Sequence, residues 1–287
     1  MTSDIAAAPS YEEILRPMTT SGRAMRVLPA WLQRLVVEVG QAGQLLAYLV
    51  RSAVTQPRGY WGATRDEMYS MLRFCWLPVA LAVGGFTFLI ANYAYDLLSL
   101  LGAGNRLGTY FVFATLREIS PFCTGMAVAG VMGTAMTADL GARRIREELD
   151  ALTVLGVDAV RTLVLPRVIA ISVMMVAFNV LGSVLGMGMG LISATALGTT
   201  SPGAYLGNML GALTVPELVG TTVKCTLIGI FIGVVSAQKG LTARGGAEGV
   251  GRAVNEAVVL SFAAVWIFNF VVNATMLGLN PDMLINR

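Results

Sequence analysis

Along the chain, apolar residues come in long unbroken blocks separated by short polar segments. Four blocks, about 74–98, 117–138, 217–237 and 256–279, are each of membrane length. A bilayer core about 30 Å thick needs roughly 20 apolar residues in helical form, so each block predicts one transmembrane helix. A fifth block, about 162–197, is too long for one straight crossing, since roughly 36 residues rise about 54 Å at 1.5 Å per residue. It tilts, projects beyond the bilayer, or divides into two spans. Upstream, residues 31–56 alternate differently. Trp31, Leu32, Leu35, Val36, Val39, Leu45, Leu46 and Leu49 recur among Arg34, Glu38, Gln41 and Arg51. This is an amphipathic helix too polar to span, lying either in the membrane interface or packed on the protein surface. Residues 1–30 are mixed polar, with Pro9, Pro17 and Pro29 and no apolar core of a signal peptide. They are expected to form a loose tail.

The basic residues decide the number of crossings. Residues 1–73 carry Arg16, Arg23, Arg26, Arg34, Arg51, Arg58, Arg65 and Arg73; 139–161 carries Arg143, Arg144, Arg146 and Arg161; 238–255 carries Lys239, Arg244 and Arg252. The segment 99–116 has only Arg106, and 198–216 has no Lys or Arg. Basic loops stay cytoplasmic. The three basic segments share one side only if 162–197 crosses once. The prediction is therefore five spans with a cytoplasmic N-terminus and a periplasmic C-terminus.

Composition agrees. Of 287 residues, 55% are hydrophobic and 13% charged, about half the charge of a typical soluble domain. That excludes an ordinary soluble enzyme. With no histidine and three scattered cysteines, Cys75, Cys123 and Cys225, neither a zinc site nor a disulfide framework is expected. The fold class predicted is an all-α integral membrane protein: a polar tail at 1–30, an interfacial amphipathic region at 31–73, and a five-span domain at 74–287.

Small residues repeat every four positions in three spans: Gly125, Ala129 and Gly133; Gly182, Gly186 and Gly190; Gly229 and Gly233. Close backbone approach, rather than the hydrophobic effect, joins helices in lipid, so these faces predict helix–helix or subunit contacts. Pro78, Pro121, Pro166 and Pro216 sit near the starts of apolar blocks, where a missing N–H costs little. Ser120-Pro121 and Thr214-Val215-Pro216-Glu217 resemble capped helix starts; alternatively Pro121 kinks a longer helix that already includes Arg117 and Glu118.

Several charges lie where lipid forbids them. Lys224 sits inside the fourth span, where an ammonium facing lipid costs about 2.5–3.5 kcal/mol. Glu217 lies seven residues earlier on the same helical face, and Arg117 and Glu118 open the second span from the same side. These residues predict either a polar, partly wet cavity in the outer half of the bundle or a structural ion pair that fixes helix register. Asn273-Ala-Thr275, a glycosylation sequon inside an apolar helix, is read as chance.

The segment 139–156 predicts a short amphipathic helix over about 142–155, with Ile145, Leu149, Leu152 and Leu155 on one side. Arg143/Glu147, Arg144/Glu148 and Arg146/Asp150 stand at i,i+4. Their order opposes the helix macrodipole, which favours a docking surface over a merely solvated face. The glycine-dense loop Lys239–Arg252 lacks the P-loop order, so any nucleotide must be bound by another chain.

Together these residues resemble a known family. Arg117-Glu-Ile-Ser-Pro121, Ala127-Val-Ala-Gly130 and Ala138-Asp-Leu-Gly141 resemble the second-span signature of MlaE/YrbE permeases. Glu147-Glu-Leu-Asp-Ala-Leu152, Leu155-Gly-Val-Asp158, Leu165-Pro-Arg167, Gly245-Gly-Ala-Glu-Gly-Val-Gly251 and Ala257-Val-Val259 continue it in order. The resemblance covers about 75–280. It implies an MlaE-like permease fold and the membrane subunit of an ATP-driven transporter. The lipid moved (phospholipid, fatty acid or sterol) would pass through a dimer cavity between the bacterial inner membrane and an MCE-protein conduit. Implied partners are a cytoplasmic ABC ATPase dimer that binds ATP and Mg, MCE-domain proteins on the outer side, and a second YrbE permease. The long N-terminal extension resembles the mycobacterial-type branch, which implies a heterodimer. No cofactor in this chain and no nucleic-acid partner are implied. By resemblance, ATPase coupling falls on Glu147, Glu148, Asp150, Ala151, Leu152 and Gly156, and the lipid cavity on Glu118, Lys224, Glu217 and Arg117. Many relatives carry an arginine after the Ala-Gly of the second span; here Val131 and Met132 follow Gly130.

Two other classes compete. An ion-coupled secondary carrier acting without an ATPase predicts broken helices in inverted halves, which five unequal spans do not display. A membrane enzyme predicts clustered acids or a nucleophile–base pair at one depth, and the spans carry neither.

Overall fold

The computed structural model describes residues 11–15, 29–198 and 200–279. Most of the tail expected at 1–30, and everything from residue 280 onward, lies outside the described residues. No strand occurs among the described residues. Five helices are long and apolar enough to cross a membrane: Trp61–Leu100, Gly104–Ile145, Val160–Ala196, Val215–Leu241 and Gly246–Leu279. The long third block is therefore one helix, as the arginine argument requires. Most of these helices outrun their apolar blocks because turns of polar composition continue them.

In chain order the elements are α1 (Tyr11–Ile14), α2 (Ala30–Thr55) and α3 (Trp61–Leu100). The second long helix is made of α4 (Leu107–Phe113), a π turn (Ala114–Ile119), α5 (Ser120–Val128), a second π turn (Ala129–Gly133) and α6 (Thr134–Ile145). Then follow α7 (Glu148–Val154), a π turn (Val160–Val164), α8 (Leu165–Ile192), α9 (Pro202–Ala212), α10 (Val215–Leu241) and α11 (Gly246–Leu279).

Three sequence expectations change. Ser120-Pro121 is not a helix start: α4 already leads into it through the π turn, so the longer helix containing Arg117 and Glu118 is the one that forms. Proline lacks an N–H and its ring presses on the carbonyl four residues back. A widened turn before Pro121, and another before Pro166, accommodates both. Pro78 likewise lies inside a helix, because α3 begins at Trp61. Finally, 99–116 and 198–216 are not plain loops. The second long helix starts within the former, and α9 forms in the latter, begun by Pro202 and capped by Ser201, whose hydroxyl accepts from the Ala204 N–H at 3.3 Å.

The chain divides into two compact units. One gathers Met1–Glu67, Gly133–Ala170 and Ile232–Val259, so the three basic segments, Arg73 apart, fall in a single unit. Here Gly240 has no room for a Cβ, which would stand 2.8 Å from Leu140 Cβ and 3.0 Å from Thr137 O. Thr137 Oγ1 donates to Ser236 O at 3.1 Å. The helix α2 is tied down by Gln238, donating to Glu38 O at 3.0 Å, and by Lys239, which pairs with Glu38 and Glu256 at 2.8 Å each. Leu45 and Leu49 are buried on this unit, while Val39, Val50 and Val54 stay exposed. That bare apolar stripe is what an interfacial helix offers to lipid.

The other unit gathers Met68–Met132, Ile171–Phe231 and Leu260–Arg287. A core of Ala91, Leu107, Phe111, Ala194 and Tyr205 seats α9 against α4. Gly108 makes this possible: a Cβ there would overlap the Tyr205 carbonyl. The glycine stripes are helix–helix contacts within the chain. Gly182 abuts Ser120 and Val83, Gly186 abuts Thr115 and Thr87, and Gly229 backs onto Ser172, whose Cα would lie 2.7 Å from an added Cβ.

Candidate functional site

The second unit buries a polar cluster around Lys224, which is 1% exposed. Its position follows from backbone chemistry. Pro121 has no N–H to return to Arg117 O, so that carbonyl is released from the helical ladder. The Lys224 ammonium donates to it, and also to Asn269 Oδ1 at 2.9 Å and Asn273 Oδ1 at 2.5 Å. Both amides turn their Nδ2 groups to Glu118: Asn269 donates to Oε2 and Asn273 to Oε1, with a further bond from Asn273 Nδ2 to Arg117 O at 3.1 Å. Lysine and glutamate are thus joined through two amides. The Arg117 side chain turns to buried Glu217, its Nε donating at 2.8 Å, and its guanidinium stacks over Phe113 at 4.5 Å.

A second layer supports the first. Thr221 Oγ1 donates to Leu116 O at 3.0 Å and accepts from Asn179 Nδ2 at 3.2 Å; Ser120 Oγ reaches Asn179 at 2.9 Å. The structure therefore brings together all four residues expected at the cavity, Glu118, Lys224, Glu217 and Arg117. Three of them, Arg117, Glu217 and Lys224, border a cleft of about 10 Å³ with Thr221, Asn273 and Met276, room for about one water. The sequence reading missed Asn269 and Asn273. The signal was present, because two amides at i,i+4 in an apolar span line one helix face and seek a partner there; the sequon reading obscured it.

The segment 139–156, expected to be a single docking helix, lies in the first unit and is not one helix. Glu147 adopts a left-handed conformation, φ 60°, which separates α6 from α7. The expected i,i+4 pairs Arg143/Glu147, Arg144/Glu148 and Arg146/Asp150 consequently do not form. Instead Arg143 pairs with Asp139 at 3.1 Å and Glu148 at 3.5 Å, Arg146 with Glu148 at 2.7 Å, and Arg144 with Asp150 at 2.9 Å. The kink lets Glu148 and Asp150 fold back onto arginines other than their i,i+4 partners, while Glu147 itself takes up the left-handed turn. Asp139 also receives Arg167 at 2.7 Å, and Arg167 reaches Glu67 at 2.9 Å. An unbroken chain of ion pairs thus runs from α7 through α6 and α8 to α3.

The end of α7 is a Schellman turn. The Val157 N–H donates to Leu152 O at 2.9 Å, and that of Gly156, at φ 74°, to Thr153 O at 3.0 Å. The turn presents Val154, 87% exposed, and Leu155, 75% exposed, beside Ala151 and Glu147. From the tail, the Tyr11 hydroxyl donates to Asp150 and accepts from Arg144, while Glu12 pairs with Arg144 at 2.9 Å. Burial and the bond to Asp150 hold the Tyr11 phenol above its usual range, so it remains a donor.

Comparison with known proteins now bears on this geometry. A family model described as Permease MlaE matches residues 64–275. The chain belongs to the MlaE permease family. It is 30% identical to a probable ABC transporter permease of Synechocystis sp., over 87% of this chain and 93% of that one. It is 31% identical to one of Rickettsia typhi, over 79% and 88%. It is also 33% identical to the chloroplastic protein trigalactosyldiacylglycerol 1 of Arabidopsis thaliana, over 61% of this chain and 50% of that one. This MlaE-family chain is thus a multi-pass membrane permease of the ABC-transporter type. Both polar sites lie inside the matched segment, the tail contact at Tyr11 outside it.

Proposed function

We propose that the chain is the passive membrane half of an ATP-driven lipid transporter. In this reading α7 docks a cytoplasmic ATPase, and the Lys224–Glu118 cluster meets a lipid head group. The observation that carries the proposal is the α6–α7 break. It offers a partner two exposed apolar side chains, Val154 and Leu155, beside the partly exposed acid Glu148, while the ion-pair chain ties α7 to three spans. A load on α7 is thereby passed to α3, α6 and α8. Glu147 supplies the hinge, Glu148 and Asp150 its ion pairs, Ala151 and Leu152 the body of α7, and Gly156 the turn that ends it.

The lipid substrate is supported by the apolar spans and by the Arabidopsis relative, which is named for a galactolipid. The basic segments, in one unit but for Arg73, belong on the cytoplasmic side of the bacterial inner membrane, and five spans would then leave the C-terminus in the periplasm. A lipid-sized chamber would then form between this chain and a second permease, a YrbE-type heterodimer partner, and open toward MCE-domain proteins.

The test is co-expression with a candidate cytoplasmic ABC ATPase from the same genome, followed by reconstitution. Leu155→Asp and Glu148→Arg should each lose the co-purifying ATPase, or its stimulation by lipid, while the permease elutes and melts as the native chain does. Full retention and full lipid stimulation in both would refute the docking role.

A further inference from the structure

Neither of these sites uses an open cleft of about 860 Å³ in the first unit, a volume typical of small-molecule sites. One wall is a face of α2, where Tyr48, Arg51 and Thr55 recur at helical spacing; the other is the turn from Gly156 to Thr162. The cleft is positively biased. Asp158 is the only carboxylate in its lining, and both oxygens are engaged: Oδ2 accepts from the Tyr48 hydroxyl, and Oδ1 from the Arg161 backbone N–H at 2.9 Å. Arg161 spends Nη2 on the chain entering α3, donating to Gln56 O at 3.4 Å and Arg58 O at 3.1 Å. Its Nε and Nη1, and the whole guanidinium of Arg51, have no partner among the described residues. Two planar cations thus line one open space, and their forked N–H groups match phosphate oxygens.

We propose that this cleft binds the phosphate of a small polar head group, with Arg51 and Arg161 as its charged ligands. The volume exceeds what a bare phosphate fills and leaves room for a polar substituent beside it. Two sources share this chemistry, a phospholipid head group and a soluble phosphate compound. The exposed stripe of Val39, Val50 and Val54 lies on another side of α2 from the cleft residues, so α2 can rest on a bilayer while the cleft stays open to water.

The test uses the full chain alone, delipidated in dodecyl maltoside in phosphate-free buffer. Each arginine's reaction with phenylglyoxal is followed by mass spectrometry. Arg51 should react in bare micelles and be protected several-fold by an added anion, while Arg65, whose side chain is 81% exposed, should not change. Protection by inorganic phosphate supports a soluble ligand; protection by phosphatidylglycerol in mixed micelles, and not by phosphate, supports a head group. Arg161→Lys, which keeps the charge and loses the fork, should weaken either protection in a chain that still elutes as the native one does. The proposal falls if neither anion protects Arg51, if phosphate-free diacylglycerol protects it equally, or if Arg51 is already unreactive in bare micelles. Because no ATPase is present, the outcome is independent of the transport reading.

Discussion

At the scale of the residue, Lys224 shows how a forbidden charge is made tolerable. Its three donors find a carbonyl freed by Pro121 and two amide oxygens, and the amides hand the interaction on to Glu118. Removing one partner of such a buried network costs about 3–5 kcal/mol, while removing both charges costs less. Lys224→Met should therefore lower the melting temperature in detergent by several degrees. Adding Glu118→Gln should recover part of that loss, so that a thermal double-mutant cycle is strongly non-additive; simple additivity would mean the two charges do not communicate. That Lys224 must have polar partners was legible in the sequence from desolvation cost alone. Its amide bridge was not, because a polar residue in an apolar span announces that it needs a partner without naming it.

At the scale of the element, the spans and their small-residue faces were legible because membrane length and four-residue spacing are local properties. The break at Glu147 was not: Ile145, Leu149 and Leu152 keep helical spacing across it, and nothing in that spacing marks the left-handed backbone that separates α6 from α7. Glycine contacts make a direct test. An added Cβ at Gly229 would meet the Ser172 backbone at 2.7 Å, whereas at Gly188 it would meet nothing within 4 Å. Forcing atoms into a packed contact costs about 1–3 kcal/mol. Gly229→Ala should accordingly destabilise the protein in chemical or thermal unfolding, and Gly188→Ala should leave the midpoint unchanged. Equal effects would show that the stripe on α10 does not set helix approach.

At the scale of the whole molecule, five crossings place alternate connections on opposite sides of the membrane. Cys75, Cys123 and Cys225 are buried, so an impermeant maleimide added to cells should ignore them. With the basic segments cytoplasmic, Gly207→Cys in α9 should be labelled from outside, and Arg244→Cys only after the membrane is permeabilised. The reverse pattern would invert the proposed orientation. The count of spans, the lipid solvent and the grouping of the arginines were determined by the order of residues, because bilayer thickness and the cost of moving charge across it act on any chain of this composition. Which carbonyl Lys224 meets, where α7 turns away from α6, and that α9 packs into α4 were decided only in three dimensions. Each depends on groups far apart in the chain satisfying hydrogen bonds that no local pattern records.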